Sequence, residues 1–179
     1  MGNTEAVQGK VQQILAANLQ DKVQLTKDGG FTIRNGSSRL FIEVQEWKDK
    51  TLVSLRVPVL FEVPRSPELN EYVAYHSDSF VFGTLALHKA GDDEKTTVSL
   101  KHNLLGDFLD EEELMSAVYG LAFVADDVDD ELKATFGGLR FHEDDDPEDE
   151  YTEVETDGEK TDDAKTDDAD DKDDDADDA

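Results

Sequence analysis

Hydrophobic and polar positions recur with two different periods along the first 142 residues, and the switches between them outline the elements. Val7, Val11, Ile14, Leu15 and Leu19 keep the spacing of one helical face and stop before the turn Lys27-Asp-Gly-Gly30, which predicts an N-terminal helix. Phe31 and Ile33 then precede Asn35-Gly36, after which Leu40, Ile42 and Val44 alternate with Arg39, Glu43 and Gln45. An Asn-Gly pair between alternating runs predicts a tight β-hairpin. The longest alternation follows Trp47-Lys-Asp-Lys50, with Val53, Leu55, Val57, Val59, Phe61 and Val63 set against Ser54, Arg56, Pro58 and Glu62. Period two over this length predicts a strand with one buried face. Pro58 has no N–H for a ladder, so the strand is expected to bend, bulge or lie at an edge there.

Ser66-Pro67-Glu68 reads as a helix start, because the hydroxyl caps an N–H and proline has none to satisfy at the first helical position. Leu69, Tyr72, Val73 and His76 give this short helix its apolar side. Two further strands, Phe80 to His88 and Thr96 to His102, flank a polar loop and predict a second hairpin. Asp110 with Glu113 reads as a cap, followed by Leu114, Val118, Leu121, Ala125, Val128 and Leu132 at spacings of 4, 3, 4, 3 and 4, and a Gly137-Gly138 stop. The expected order is α-β-β-β-α-β-β-α. Short hairpin connections make the sheet antiparallel and five-stranded, with the helices packed largely on one side, an α+β fold.

Charge divides the chain where the periodicity ends. Of the 45 acidic residues 22 lie in 143–179, with only 3 of the 17 Lys and Arg, so the tail carries a net -19 of the total -28. Its hydrophobic residues are Tyr151, Val154 and four alanines, and Lys-Thr-Asp-Asp-Ala repeats at 160 and 165. Such a segment cannot bury enough apolar surface to offset its chain entropy, so residues 143–179 are expected to be a disordered Asp-rich tail on a 1–142 domain. At this size a domain buries enough surface to fold without staples. The absence of cysteine removes disulfides and thiolate sites and fits a reducing, cytoplasmic setting. The first ten residues lack the apolar core of a signal peptide, and no run approaches the roughly 18 apolar residues of a spanning helix. A net charge of -28 opposes direct binding to nucleic-acid phosphates or anionic lipid.

Candidate chemistry is sparse. Neither glycine pair is followed by the Lys-Ser/Thr of a phosphate-binding loop, Asp157-Gly158 lacks the ligands of an EF-hand, and no nucleophile elbow is present. His88 and His102 fall on paired strands about 20 Å apart, too far to share a metal. Asp126-Asp127 and Asp129-Asp130 read as a solvated helix face. The reading is therefore of a protein that is not an enzyme and has no cofactor. More informative is apolar surface on the polar side of the strands. Phe41 and Trp47 share a face with Arg39, Glu43 and Gln45, and Leu52 and Leu60 share one with Arg56 and Glu62. With helices on the opposite face, these four side chains form a patch of the kind that binds a partner, or that a loop or second copy of the chain covers.

The motifs extend this. Pro58-Val-Leu60 with Val63-Pro64, Pro67-Glu-Leu69 with Tyr72-Val-Ala74, Phe80-Val-Phe-Gly83, His102-Asn-Leu-Leu-Gly-Asp-Phe-Leu-Asp110, and Asp129-Asp-Glu-Leu132 with Phe136-Gly-Gly138 resemble actinobacterial YbjN-domain proteins over residues 5 to 141. The order of elements resembles the type III secretion chaperone fold that these share with CesT-like chaperones. The resemblance implies a non-enzymatic, often dimeric α+β domain that holds peptide segments of partner proteins without ATP or metal. It implies no site residues, so Phe41, Trp47, Leu52 and Leu60 rest on the alternation. The expected function is a cytoplasmic chaperone-like adaptor, a homodimer with a protein or peptide client. The alternative is an electrostatic regulator acting through its acidic tail on a basic partner.

Overall fold

The computed structural model describes residues 3–36, 38–89 and 94–141, and the backbone of 152–153. Helix α1 (Thr4–Leu19) buries Val7, Val11, Ile14 and Leu15, the face read from its spacing. A single 3-10 turn, Gln20–Lys22, leads into β1 (Val23–Leu25), a strand that the sequence pattern did not predict. Strands β2 (Phe31–Asn35) and β3 (Ser38–Trp47) pair across the Asn35-Gly36 turn, and Lys48-Asp49 turns β3 into the 15-residue β4 (Lys50–Pro64). Helix α2 (Pro67–His76) starts as its sequence demands, with the Leu69 N–H donating to Ser66 Oγ at 3.1 Å. Strands β5 (Thr84–Lys89) and β6 (Lys95–Leu105) form the second hairpin, and α3 (Glu111–Phe136) starts where Asp110 Oδ1 accepts from the Glu113 N–H at 2.8 Å.

The sheet order is β5-β6-β4-β3-β2-β1, antiparallel throughout. Six strands, where five were expected, make up the body of the sheet. A two-residue strand, β7 (Thr152–Glu153), lies antiparallel on the outer side of β1, with Leu25 opposite Thr152 and Gln24 opposite Glu153. The expectation of disorder for 143–179 otherwise concerns residues outside the described ones. Helices α1 and α3 lie on one side of the sheet. Their inward residues meet Phe31, Ile33, Leu40, Ile42, Val53, Leu55, Val57 and Leu100 in one apolar core. The 26-residue α3 spans about 39 Å at 1.5 Å per residue and crosses β3, β4 and β6.

Two local departures from the expected pattern matter for the site. Phe80 to Phe82 form a bend in place of the start of β5, because Gly83 adopts φ +89° and a Cβ there would lie 2.7 Å from Leu121 Cδ2. Strand β4 is central and accommodates Pro58 by a bulge: Pro58 faces Ser99 while Leu60 faces Val98, so two residues of β4 advance for one of β6. An inserted residue reverses which face later side chains occupy. Leu60 consequently turns into the core at 0% exposure, and the expectation that it shares the outer face is corrected. Phe61 takes that face in its place, as its ring contact with Phe141 shows.

Candidate functional site

The face of the sheet away from the helices carries Gln24, Thr32, Arg34, Arg39, Phe41, Glu43, Gln45, Leu52, Ser54, Arg56, Lys101, Asn103 and Leu105, as the registers of β1 to β6 require. Of the four patch residues read from the sequence, Phe41 and Leu52 are half-buried here and line one shallow concavity of about 430 Å³, together with Glu43, Gln45, Arg56, His88 and Lys101. Trp47 lies at the end of β3, 50% exposed, with Lys48 Nζ 5.0 Å from its ring centroid. Leu60 lies in the core and is not part of the surface. Leu105, 42% exposed, stands directly opposite Leu52 and completes an apolar group with it and Trp47. The sequence reading missed it because the strand was taken to end at His102, though a period-two count from Asn103 would have reached it.

Part of this face is covered by the chain itself. After α3 ends at Gly137, the Phe61 N–H donates to Leu139 O at 2.8 Å and the Leu139 N–H to Phe61 O at 2.9 Å. Gly138, with φ +95°, permits that approach, since a Cβ would lie 2.7 Å from Phe61 O. Phe141 then packs on Phe41 and Phe61 at centroid distances of 5.8 and 5.4 Å, with the Arg39 guanidinium 5.5 Å from its ring. Arg140 reaches back to α3, its Nε 3.1 Å from Asp129 Oδ2, and also bonds Asp130. Asp129 is thereby buried to 6% exposure, which corrects the reading of Asp129-Asp130 as a wholly solvated face.

Beside this face lies a half-open edge. Pairing of β2 with β3 ends at Ile42, whereas β3 continues to Trp47 with β4 on its other side. Ser38 and Trp47 flank two-residue turns and so point their backbone groups at β2 and β4 respectively. Alternation from either end aims the N–H and C=O of Val44 and Glu46 away from β4. They face a groove of about 840 Å³ walled by Thr4, Glu5 and Gln8 of α1, the 26–30 turn, Phe41 and Arg56. Phe41, Glu43, Gln45 and Arg56 line both this groove and the concavity, so the two are continuous. The remaining edges carry partners: the Leu85 N–H of β5 donates to Ser77 O at 3.1 Å, and β1 holds β7.

Electrostatically the outer face runs against the body. Arg34 stands opposite Arg39, and Arg56 opposite Lys101, two like-charge cross-strand pairs on one face of a domain whose net charge is -9. The imidazole of His88 records the same field. Burial lowers its pKa below the ordinary 6.5, and the charges of Lys101 and Arg56 lower it further. His102 is lowered too, mainly by burial, with Glu113 opposing. Among the described residues, no group of three or more His, Cys, Asp or Glu is gathered as a metal site would need.

An antiparallel sheet that presents aromatic, apolar and cationic side chains beside a stretch of strand unpaired among the described residues has the build of a module for extended polypeptide. The chain belongs to the family TY-Chap1, the T3SS (YopN, CesT) and YbjN peptide-binding chaperones, whose model matches residues 5–144. That is the family its motifs resemble. No curated protein matches the chain. Among the described residues no helix is long and apolar enough to cross a membrane.

Proposed function

We propose that this protein is a non-enzymatic, chaperone-like adaptor that holds an extended segment of a partner protein along the β3 edge. The client adds a strand to Val44 and Glu46. Alternate client side chains enter the groove against Phe41 or lie over Trp47, Leu52 and Leu105. The observation that carries this reading is the half-open run Glu43–Trp47 above a groove continuous with the outer face. Strand addition supplies backbone hydrogen bonds that are indifferent to client sequence, while pockets for alternate side chains supply the preference. For the homodimer that the resemblance implies, the seat we favour is the outer side of α3, where Tyr119 and Phe123 are 56% and 73% exposed one turn apart. Sedimentation of the native chain and of Phe123→Glu checks it.

The test uses peptides selected from a random library on the native chain, measured by fluorescence anisotropy. Glu46→Pro removes one outward N–H at an exposed edge position, where proline is tolerated. The expected loss is roughly five- to tenfold in affinity, about 1 kcal/mol for one lost ladder bond, with circular dichroism unchanged. N-methylation of the peptide at alternate residues should cost as much. Full affinity for both Glu46→Pro and the methylated peptide would rule out strand addition here.

A further inference from the structure

Hydrogen-bond donors are gathered in the concavity of the outer face. The Arg56 guanidinium lies over the Phe41 ring, 5.5 Å from its centroid, and Lys101 stands directly opposite Arg56 on β6. One step along the same strands, Gln45 Nε2 donates to Ser54 Oγ at 3.1 Å and Ser54 Oγ donates to Asn103 Oδ1 at 2.8 Å. That line uses the Asn103 oxygen and leaves its Nδ2 as a donor on the same face as Lys101. His88 lines the concavity from β5, and its Nε2 is enclosed with no hydrogen-bond partner among the described residues. Burial, then the charges of Lys101 and Arg56, lower the His88 pKa, so the ring is uncharged at neutral pH and adds no third cation. Among the described residues that line the concavity, the one carboxylate is Glu43, exposed and opposite Ser54. Two cations thus outnumber one anion, beside an apolar floor of Phe41 and Leu52.

An ionised carboxylate complements such a lining, because it only accepts hydrogen bonds and matches the fork of a guanidinium. Arg56 borders both the concavity and the groove, so it is the cation nearest a segment lying on the β3 edge. A strand added to β3 lies about 4.8 Å beyond it. A glutamate side chain on the outer face of that strand spans this step back to the guanidinium over Phe41. We propose that the concavity is a subsite for an acidic side chain of the client, its carboxylate held by Arg56 and Lys101 with Asn103 Nδ2 beside them. The subsite deepens the strand-addition reading, on which it rests, by naming the class of client. That class is an extended segment in which glutamate or aspartate adjoins an apolar residue for Trp47, Leu52 and Leu105.

The experiment compares two fluorescein-labelled probes, acetylated and amidated at their ends, that alternate valine with glutamate in one and with glutamine in the other. Both are titrated by anisotropy against the full chain. At low salt the native chain should bind the glutamate probe about five- to tenfold more tightly, although its net charge of -28 repels that probe. Lys101→Gln should lower the preference roughly twofold, and Arg56→Gln with Lys101→Gln should bring it to about one or below. Like charges directly opposite destabilise a sheet, so Lys101→Gln stays folded and carries the test if Arg56→Gln does not. At about 0.5 M salt, where exposed charges are screened within about 4 Å, the native preference should shrink toward one. Lys22→Gln, which removes an exposed cation outside the concavity, should leave the preference unchanged. No preference in the native chain at low salt, or an undiminished one in the double variant, would overturn the subsite. So would a drop for Lys22→Gln equal to that for Lys101→Gln. A glutamine probe with a free C-terminus that binds as tightly as the glutamate probe would assign the site to a chain end and overturn its assignment to a side chain. Glu46→Pro should weaken both probes and leave their ratio unchanged, so failure of strand addition and failure of the subsite are read separately.

Discussion

Leu60→Ala tests whether the bulge after Pro58 turns Leu60 inward, an inversion that ends at a second register shift between Leu60 and Val63, where Val63 is again in the core. Leu60 is 0% exposed, opposite Val98 and within the core that α3 covers, whereas Leu52, eight residues earlier on the same strand, is half-buried on the outer face. An uninterrupted period-two strand would place positions 52 and 60 on the same side, so equal costs are what a bulge-free strand predicts. Truncating a buried leucine removes about 2.4 kcal/mol of transfer free energy for three carbons at about 0.8 each, and the residual cavity adds to it. The expected cost of Leu60→Ala is therefore about 3 to 4 kcal/mol. Leu52→Ala leaves no enclosed cavity and should cost under about 1 kcal/mol. In urea, with a slope of about 2 kcal/mol per molar, the midpoint should fall by about 1.5 to 2 M for Leu60→Ala and by under about 0.5 M for Leu52→Ala. The assay is equilibrium unfolding followed by far-ultraviolet circular dichroism, which avoids relying on the single, exposed Trp47. Peptide affinity should show the reverse order, a loss for Leu52→Ala and none for Leu60→Ala under conditions where it is folded. Similar midpoints for the two variants would refute the inversion.

Two further outcomes follow from charge. His88 and His102 have folded-state pKa values below the 6.5 of the unfolded chain, so in the window just below pH 6.5 the unfolded state binds more protons and stability falls as pH falls. The loss begins near pH 6.5 and is complete below the folded-state values. Urea midpoints at pH 7.5 and 5.5 should differ less for His88→Gln with His102→Gln than for the native chain. Arg140→Ala should cost about 3 kcal/mol, because it leaves the buried Asp129 without this cation. Asp129→Asn with Arg140→Ala should recover most of that loss in the same unfolding assay.

The elements with chemical punctuation were legible in the sequence. Asn35-Gly36, Ser66-Pro67 and Asp110 with Glu113 each act through a local backbone group, and each lies at the boundary they predict. Strand β1 was not legible, because Val23-Gln-Leu25 offers a single alternation and follows a helix without a break. Leu60 was misplaced because alternation has no mark for an inserted residue; Pro58 signalled a bulge but not its effect on parity. Asp129 looked solvated among neighbouring aspartates, since its partner Arg140 comes back only after the Gly137-Gly138 reversal. The groove was invisible for a different reason. It exists because β2 stops at Ile42 while β3 goes on, a difference in strand length that no single segment records.

These features are linked through β4. The bulge that sends Leu60 inward turns Phe61 outward, and Phe61 provides the backbone and ring on which Leu139 and Phe141 settle. That contact places Phe141 beside Arg39, on the face where arginine faces arginine and lysine faces arginine. The facing pair Arg56 and Lys101, beside Phe41 in the concavity, makes client binding depend on ionic strength and on client charge. Clients that succeed should combine acidic residues with an apolar side chain for the Trp47, Leu52 and Leu105 group. Selection of peptides on the native chain at low and at 0.5 M salt should therefore return different sequences, acidic-apolar at low salt and apolar alone at high salt.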